Sequence, residues 1–317
     1  MANATPSRPG QVNLQGNPRA LFLSVFGGKV LEAYDRNSYF RDKHMVRTIP
    51  EGQSAKFPVT GQMQAYIHTP GAEITGDLIR GSERLISIED MIVAPAFISS
   101  QDDLQNHFDY QDIIARQIGQ ALSKRYDQNV ARTGIAASRA VKVIDDGYDG
   151  FQLQDANFAT DGGALWQGLF NAGVRFDQID APPMDRHAAF RPVQYALLVR
   201  SEKPLDRDLG NDGNGSLASG TIVQVAGIKV DKTNNLVNTD DRAAADQPAY
   251  RRLDYTPTVG LVFTNDAVGT LQLQDITMES GYDMRRQGNL MIGKYMVGHG
   301  ILRPEAAIEM RTATPAT

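Results

Sequence analysis

Between residues 109 and 134 the sequence DYQDIIARQIGQALSKRYDQNVARTG carries its apolar residues at helical spacing. Ile114, Ile118, Ala121 and Leu122 share one face, and Tyr126 and Val130 continue it with a drift of about 40° per four-residue step. The pattern predicts a spine helix with a rotating buried stripe. Asp109 is placed to cap its first turn, Asp112 suits the positive end of the dipole, and Gly134 suits a left-handed stop. The helix would be roughly 39 Å long at about 1.5 Å per residue. Its other faces hold Arg116, Gln117, Gln120, Lys124, Arg125 and Arg132, which read as solvated.

Around this helix the texture alternates. Asn17-Pro18 caps a short helix anchored by Leu21, Val25, Phe26 and Leu31 and weakened at Gly27-Gly28. From residue 45 to 99, short β-favouring runs (MVRTI, AKFPV, AYIHT, RLISI, MIVAPAFI) are separated by turn-like EGQ, TGQ, PGAE and TGD, which predicts a long β-hairpin. Pro58, Pro70 and Pro95 remove ladder donors, so these strands are expected at edges. Between residues 60 and 82 the large apolar side chains are too scattered to build a core, and a projecting loop follows. Residues 141–163 read as a loop-rich crossing. A second helix is predicted over 164–179, with Leu165, Leu169, Val174 and Phe176 buried and Pro182-Pro183 stopping it. YALLV, entered through Pro192, reads as a buried strand, and residues 205–220 read as an exposed loop. The alternating runs TIVQVAGIKVDKT and GLVFTNDAVGTLQLQDITME complete an α+β chain with an antiparallel-leaning sheet.

Composition narrows the function classes. A chain of 317 residues, 41% hydrophobic and 22% charged, can bury a sizeable core. Its net charge of -5 excludes a whole-protein basic field for nucleic acid or anionic membrane. With no cysteine, disulfides, thiolate metal sites and cysteine nucleophiles are excluded, which suits a reducing cytoplasm. The first twenty residues are polar and rich in Pro, Gly and Asn, reading as a flexible arm without signal-peptide character, and no run approaches the ~20 apolar residues of a membrane span.

Candidate chemistry is sparse. Asp206, Asp208 and Asp212 lie in a Gly-rich loop but break the twelve-residue calcium pattern and lack its closing Glu. His44, His68, His107, His187 and His299 are scattered without metal-ligand spacing, and no nucleophile elbow, phosphate loop or dinucleotide fingerprint is present. No catalytic, cofactor or metal residue is nominated. Trp166 and the methionines read as core or interface packing.

The C-terminal run from 259 to 307 carries AVGT (267–270), KYMVGHG (294–300) and LRPEAA (302–307). Together they resemble the end of the major capsid proteins of short-tailed, T-seven-like bacteriophages. ALFLSVFGGKVLEAY, HMVRTIPEGQSAKFPVTG, DLQNHFDY, DRHAAFRPVQYALL and GTIVQVAGIKV resemble earlier family segments in the same order, so the likeness covers the chain from about Asn17 onward. It implies the HK97-like capsid fold: an N-terminal arm (1–47), an extended loop (48–87), a peripheral domain (88–140 and 285–317) holding the spine helix, and an axial domain (141–284). It implies hexamers and pentamers of an icosahedral head around packaged double-stranded DNA, touched weakly and without sequence preference. Implied partners are copies of the same chain, a scaffolding protein, a portal protein and an optional decoration protein, with assembly in the host bacterial cytoplasm, no membrane, no cofactor and no catalysis. Inter-subunit contacts are expected at Gly52, Ser54, Phe57, Pro58, Gly61, Pro70, Gly71 and Arg80 of the loop, and Gly119 is expected as a weak point where the spine bends as the shell expands. The alternatives are a bacterial nanocompartment shell of the same fold and, from another class, an α+β hydrolase.

Overall fold

The computed structural model describes residues 28–34, 38–61, 63, 65–71, 73, 74, 76, 79–101, 110–145, 147–201, 215, 216 and 220–312. The expected arm with Asn17, Leu21, Val25 and Phe26, the Asp109 cap, His107 and the Asp206, Asp208 and Asp212 loop lie outside them. The chain divides into two compact units.

The first unit takes Met1–Ser38, Glu89–Tyr126 and Gln272–Val297. It contains a helix at 28–34 (α1) and the start of the spine helix α2, Tyr110–Ser138. Ile114, Ile118, Leu122 and Tyr126 are buried there, as the four-residue spacing predicts. Ala121 is exposed, against expectation. Ala115 and Gly119 share the buried side, so its centre lies between the directions of Ile118 and Gly119, and Ala121 points more than a quarter-turn away. Strand β4 (Ile92–Ser99) pairs antiparallel with β13 (Gly288–Ile301), from Ile92↔Tyr295 to Ser99↔Gly288. Tyr34, Tyr126 and Tyr295 meet edge to face, with centroids 6.0 to 6.5 Å apart. Gly119 lies under α1: a Cβ there would stand 2.6 Å from the Val30 oxygen and 2.8 Å from Ala33 Cβ. Close helix crossing is therefore reason enough for glycine at the expected bend.

The second unit takes Tyr39–Ile88, Asp127–Leu271 and Gly298–Thr317. Its strands β5 (Phe151–Gln154), β6 (Arg186–Phe190), β9 (Gln224–Val225), β10 (Ile228–Lys232), β11 (Thr258–Thr264) and β14 (Ala307–Arg311) form one sheet of order β5-β14-β11-β6-β10-β9. The β14–β5 and β10–β6 pairs are parallel and the rest antiparallel. Side chains alternate across β14. Ile308 and Met310 enter a core with Leu165, Leu169 and Phe176 of helix α3 (Gly162–Gln178) and Leu198 of helix α4 (Pro192–Arg200), while Glu309 faces the opposite side. On that opposite side the end of α2 packs, with Gly134 against Leu261. Covered on both faces, β11 is buried along its whole length.

Four expectations are corrected in this unit. Gly134 does not stop α2, because Ile135, Ala136 and Ala137 are buried and extend it to Ser138, and the glycine instead lets Leu261 approach. Arg132 is not solvated: it is buried, with Nε 2.7 Å from Asp241 Oδ2. YALLV is helical, since Pro192 occupies the first turn behind an extended Arg191 and the strand is the preceding RHAAF. Val174 is 52% exposed, half a turn from Leu165 around α3. The division at residue 285 also differs from the units: β12 (Val268–Asp283) and β13 both run from one unit into the other, and β14 belongs to the six-stranded sheet.

Candidate assembly surface

The most prominent surface feature is the hairpin of β2 (Ser54–Thr60) and β3 (Gly81–Ser87), paired antiparallel from Ser54↔Ser87 to Thr60↔Gly81. β2 alternates buried and exposed residues, so Ala55 and Phe57 pack with Ile86, Leu271 and Leu302 while Ser54 and Pro58 face solvent. Pro58 thus sits on a two-stranded ribbon, where its missing donor is tolerated. Phe57, expected as a contact to another subunit, is committed to the hairpin's own core, beneath the Arg47 guanidinium 5.7 Å from its ring centre. Gly52, at φ +114°, makes the turn into β2 that a side chain would strain. Gly61 N–H donates to the Arg80 carbonyl at 2.8 Å and closes the ladder; beyond this pair the loop leaves the hairpin. Arg80 Nη1 reaches Asp145 Oδ2 at 3.1 Å, an exposed ion pair at the loop root. Beside it opens a cavity of about 160 Å³ lined by Val59, Thr60, Ile144, Ile179 and Pro182, among others.

Past the root, every described residue of 63–80 is exposed, Pro70, Gly71 and Arg80 included. Four large apolar side chains stand out: Ile67 at 100%, Ile74 at 80%, Tyr66 at 71% and Met63 at 69% exposure, with Ile79 also exposed. Burying one isoleucine is worth about 1.5–3 kcal/mol, so the loop holds binding free energy that its own subunit does not use. These residues are absent from the expected contacts, because single apolar residues between turn signals have no period to mark them. The loop therefore combines a rigid two-stranded root with a tip that gains from cover.

Catalytic geometry does not accompany it. Among the described residues no group of three or more His, Cys, Asp or Glu could hold a metal, and no helix is long and apolar enough to cross a membrane. Of the histidines, His44, His187 and His299 are buried and His68 is exposed. Burial pushes the His187 imidazole below its ordinary value, with Lys43 and Lys229 adding to the effect.

A family described as Gp10A-like major capsid protein matches residues 56–311, which spans the hairpin, the spine helix and the six-stranded sheet. The chain belongs to this major capsid protein family. It is similar to the major capsid proteins of Escherichia phage T7 (29% identical, 92% of each chain covered) and Enterobacteria phage T3 (30% identical, 91% of this chain and 90% of that one). Its structure is similar to the capsid of cyanophage P-SCSP1u at TM-score 0.80, with 38% identity over 99% of this chain and 100% of that chain. The fold of this major capsid protein is accordingly the HK97-like capsid fold, an α+β fold as expected. The family is structural and not enzymatic, and the chain is a virion component that assembles with copies of itself into icosahedral shells.

Proposed function

We propose that this major capsid protein closes its shell by laying the 61–80 loop of each copy on an adjacent copy within hexamers and pentamers, and that the closed head encloses double-stranded DNA. The observation that carries the reading is the set of exposed apolar residues Met63, Tyr66, Ile67 and Ile74 held out on a firmly paired hairpin root. Head-to-tail contacts of this kind close into rings, and many modest interfaces in one shell sum to a resistant container. Gly61, Pro70, Gly71 and Arg80 shape or flank the loop, and Gly52, Ser54 and Pro58 offer the outer face of its root. The six-stranded sheet with α3 and α4 suits the axial position near the capsomer centre, and the unit holding the start of α2 and the β4–β13 pair suits the periphery. Scaffolding and portal proteins are the partners of assembly in the host bacterial cytoplasm, with a decoration protein as an optional addition outside. A net charge of -5 suits a wall that touches DNA weakly, since tight binding would oppose packaging and release.

Deleting residues 62–79 tests this. It would join Gly61 to Arg80 and leave Thr60 and Gly81 paired across a two-residue turn with glycine at its first position, a geometry hairpins favour. The shortened chain is expected to remain soluble with an unchanged unfolding midpoint, yet to form no closed shells by negative-stain microscopy. Closed shells at normal yield would show that the loop is not the closing contact.

A further inference from the structure

With both of its imidazoles neutral, a buried polar chain in the second unit has a single consistent arrangement of protons. His44 Nδ1 lies 2.6 Å from the Phe40 carbonyl, His44 Nε2 lies 2.8 Å from Thr270 Oγ1, and the same oxygen lies 2.8 Å from His299 Nδ1. A carbonyl can only accept, so a neutral His44 carries its hydrogen on Nδ1 and accepts at Nε2 from the Thr270 hydroxyl. With its own hydrogen spent, the Thr270 oxygen accepts from His299 Nδ1–H. Burial disfavours charge on both imidazoles and keeps them neutral, and Thr270 between them is buried too. The His299 carbonyl is held in turn by the Tyr250 hydroxyl at 2.5 Å.

The relay fastens one particular segment. Residues 39–44, which lead into strand β1 (Met45–Thr48), are gripped at their start by the buried Asp127 carboxylate, which accepts from Tyr39 N–H at 2.7 Å and Phe40 N–H at 3.2 Å. Phe40 packs on Phe263, Lys43 Nζ and the Tyr39 hydroxyl reach Asp231 Oδ2 at 3.0 and 3.2 Å, and His44 is the grip nearest β1. We propose that the His44–Thr270–His299 relay is an acid-sensitive latch: it holds residues 39–48 in place while both imidazoles are neutral, and it lets them go when either gains a second proton.

The chemistry of protonation supports this direction. A proton on His44 Nε2 would turn that nitrogen from acceptor to donor, so the Thr270 hydroxyl would have to swing to His299 Nδ1 and drive that ring to its other tautomer, with a cation left buried at His44. A proton on His299 Nε2 would place a cation in a site where the buried Arg251, from the turn Ala249–Arg251, and His44 both oppose it. Asp42, on the segment itself, and the Phe40 carbonyl favour charge on His44, but burial outweighs them and pushes that imidazole down to about 4, while His299 is held well below its ordinary value. The released segment exposes His44 to water, where a histidine binds protons at about pH 6.5. The open form therefore binds more protons than the closed form between about pH 6.5 and 4, and acidification across that window favours opening. The segment is the stretch of chain that leads into the β2–β3 hairpin, so its release frees the entry to that hairpin.

Amide hydrogen exchange on the full chain, corrected for the intrinsic pH dependence of exchange, tests the latch. The opening constant for residues 39–48 is expected to be flat between pH 8 and 7, then to rise about tenfold per pH unit below roughly 6.5 for each histidine freed, while β11 stays protected. In the double variant H44Q/H299Q this slope should vanish. Imidazole carbon NMR of the unaltered chain gives an independent reading, in which His44 titrates at about pH 4 and His299 well below its ordinary value. Titration of either near pH 6.5, a slope that survives H44Q/H299Q, or loss of β11 protection at the same pH as the segment would overturn the proposal.

Discussion

Arg139 and Glu309 show what single side chains contribute to a subunit of this kind. Arg139 Nε and Nη2 meet the two Glu309 oxygens at 2.7 and 2.6 Å, and Thr258 Oγ1 donates to the same carboxylate at 2.6 Å. Glu309 is fully buried in the strand next to the edge of the six-stranded sheet, so removing its charge would leave the part-buried Arg139 with the Asp254 carbonyl in place of a carboxylate. Glu309→Ala is expected to cost about 3–5 kcal/mol in chemical denaturation, and a loss below about 1 kcal/mol would mean that the pair is not structurally important. Two glycines of the spine helix should behave differently. At Gly119 an added Cβ meets the Val30 backbone oxygen at 2.6 Å, and backbone cannot step aside; Gly119→Ala is expected to destabilise by about 1–3 kcal/mol despite the better helix propensity of alanine. At Gly134 the obstacle is the Leu261 Cδ2 methyl at 2.8 Å, the mobile end of a side chain, so the ~1 kcal/mol propensity gain should roughly cancel the crowding in Gly134→Ala. Equal thermal shifts in the two variants would contradict this distinction.

Among elements, α2 explains which parts of the fold were legible. Its first half is half-buried, so burial there obeys a face, and Ile114, Ile118, Leu122 and Tyr126 could be picked out by spacing. Its second half is buried all round from Asn129 to Ser138, and a helix without a solvent side has no periodic signal to read. Thr133 and Ser138 there bond carbonyls of their own helix, whereas Arg132 is met by Asp241, remote in sequence, so its type suggested a surface that does not exist. The same blindness affected YALLV, where a short apolar run fits a buried strand or a buried helix equally, and Pro192 at the first helical position decided the matter. Of the hairpin expected over 45–99, the pair formed by AKFPV and RLISI was legible because alternation and turn residues are local. MVRTI and MIVAPAFI instead pair with β12 and β13, strands remote in sequence, and AYIHT is no strand. The hairpin's functional tip was not legible, because isolated exposed apolar residues declare themselves only when their burial is known. The contrast in α2 predicts that Ile118→Asp prevents folding, at several kcal/mol for an unpaired buried charge, while Ala121→Asp leaves a folded chain. Circular dichroism and solubility separate the two outcomes, and a soluble, assembly-competent Ile118→Asp chain would contradict the buried face.

At the scale of the whole molecule, membership of the major capsid protein family and the HK97-like fold make the shell the functional state, and the isolated chain one of its parts. A loop with an isoleucine at 100% exposure is a poor arrangement for a monomer and a useful one for a subunit with neighbours. Chain length, charge and the lack of cysteine are compatible with that state without selecting it, whereas the segments AVGT, KYMVGHG and LRPEAA pointed to it from the sequence. The most direct measurement is electron cryomicroscopy of closed shells built from the full chain, at a resolution that places side chains. The expected density shows residues 61–80 of each copy lying on an adjacent copy, with Ile67 and Ile74 buried between them. Closed shells in which that loop stands free in solvent, with both isoleucines uncovered, would contradict the central claim.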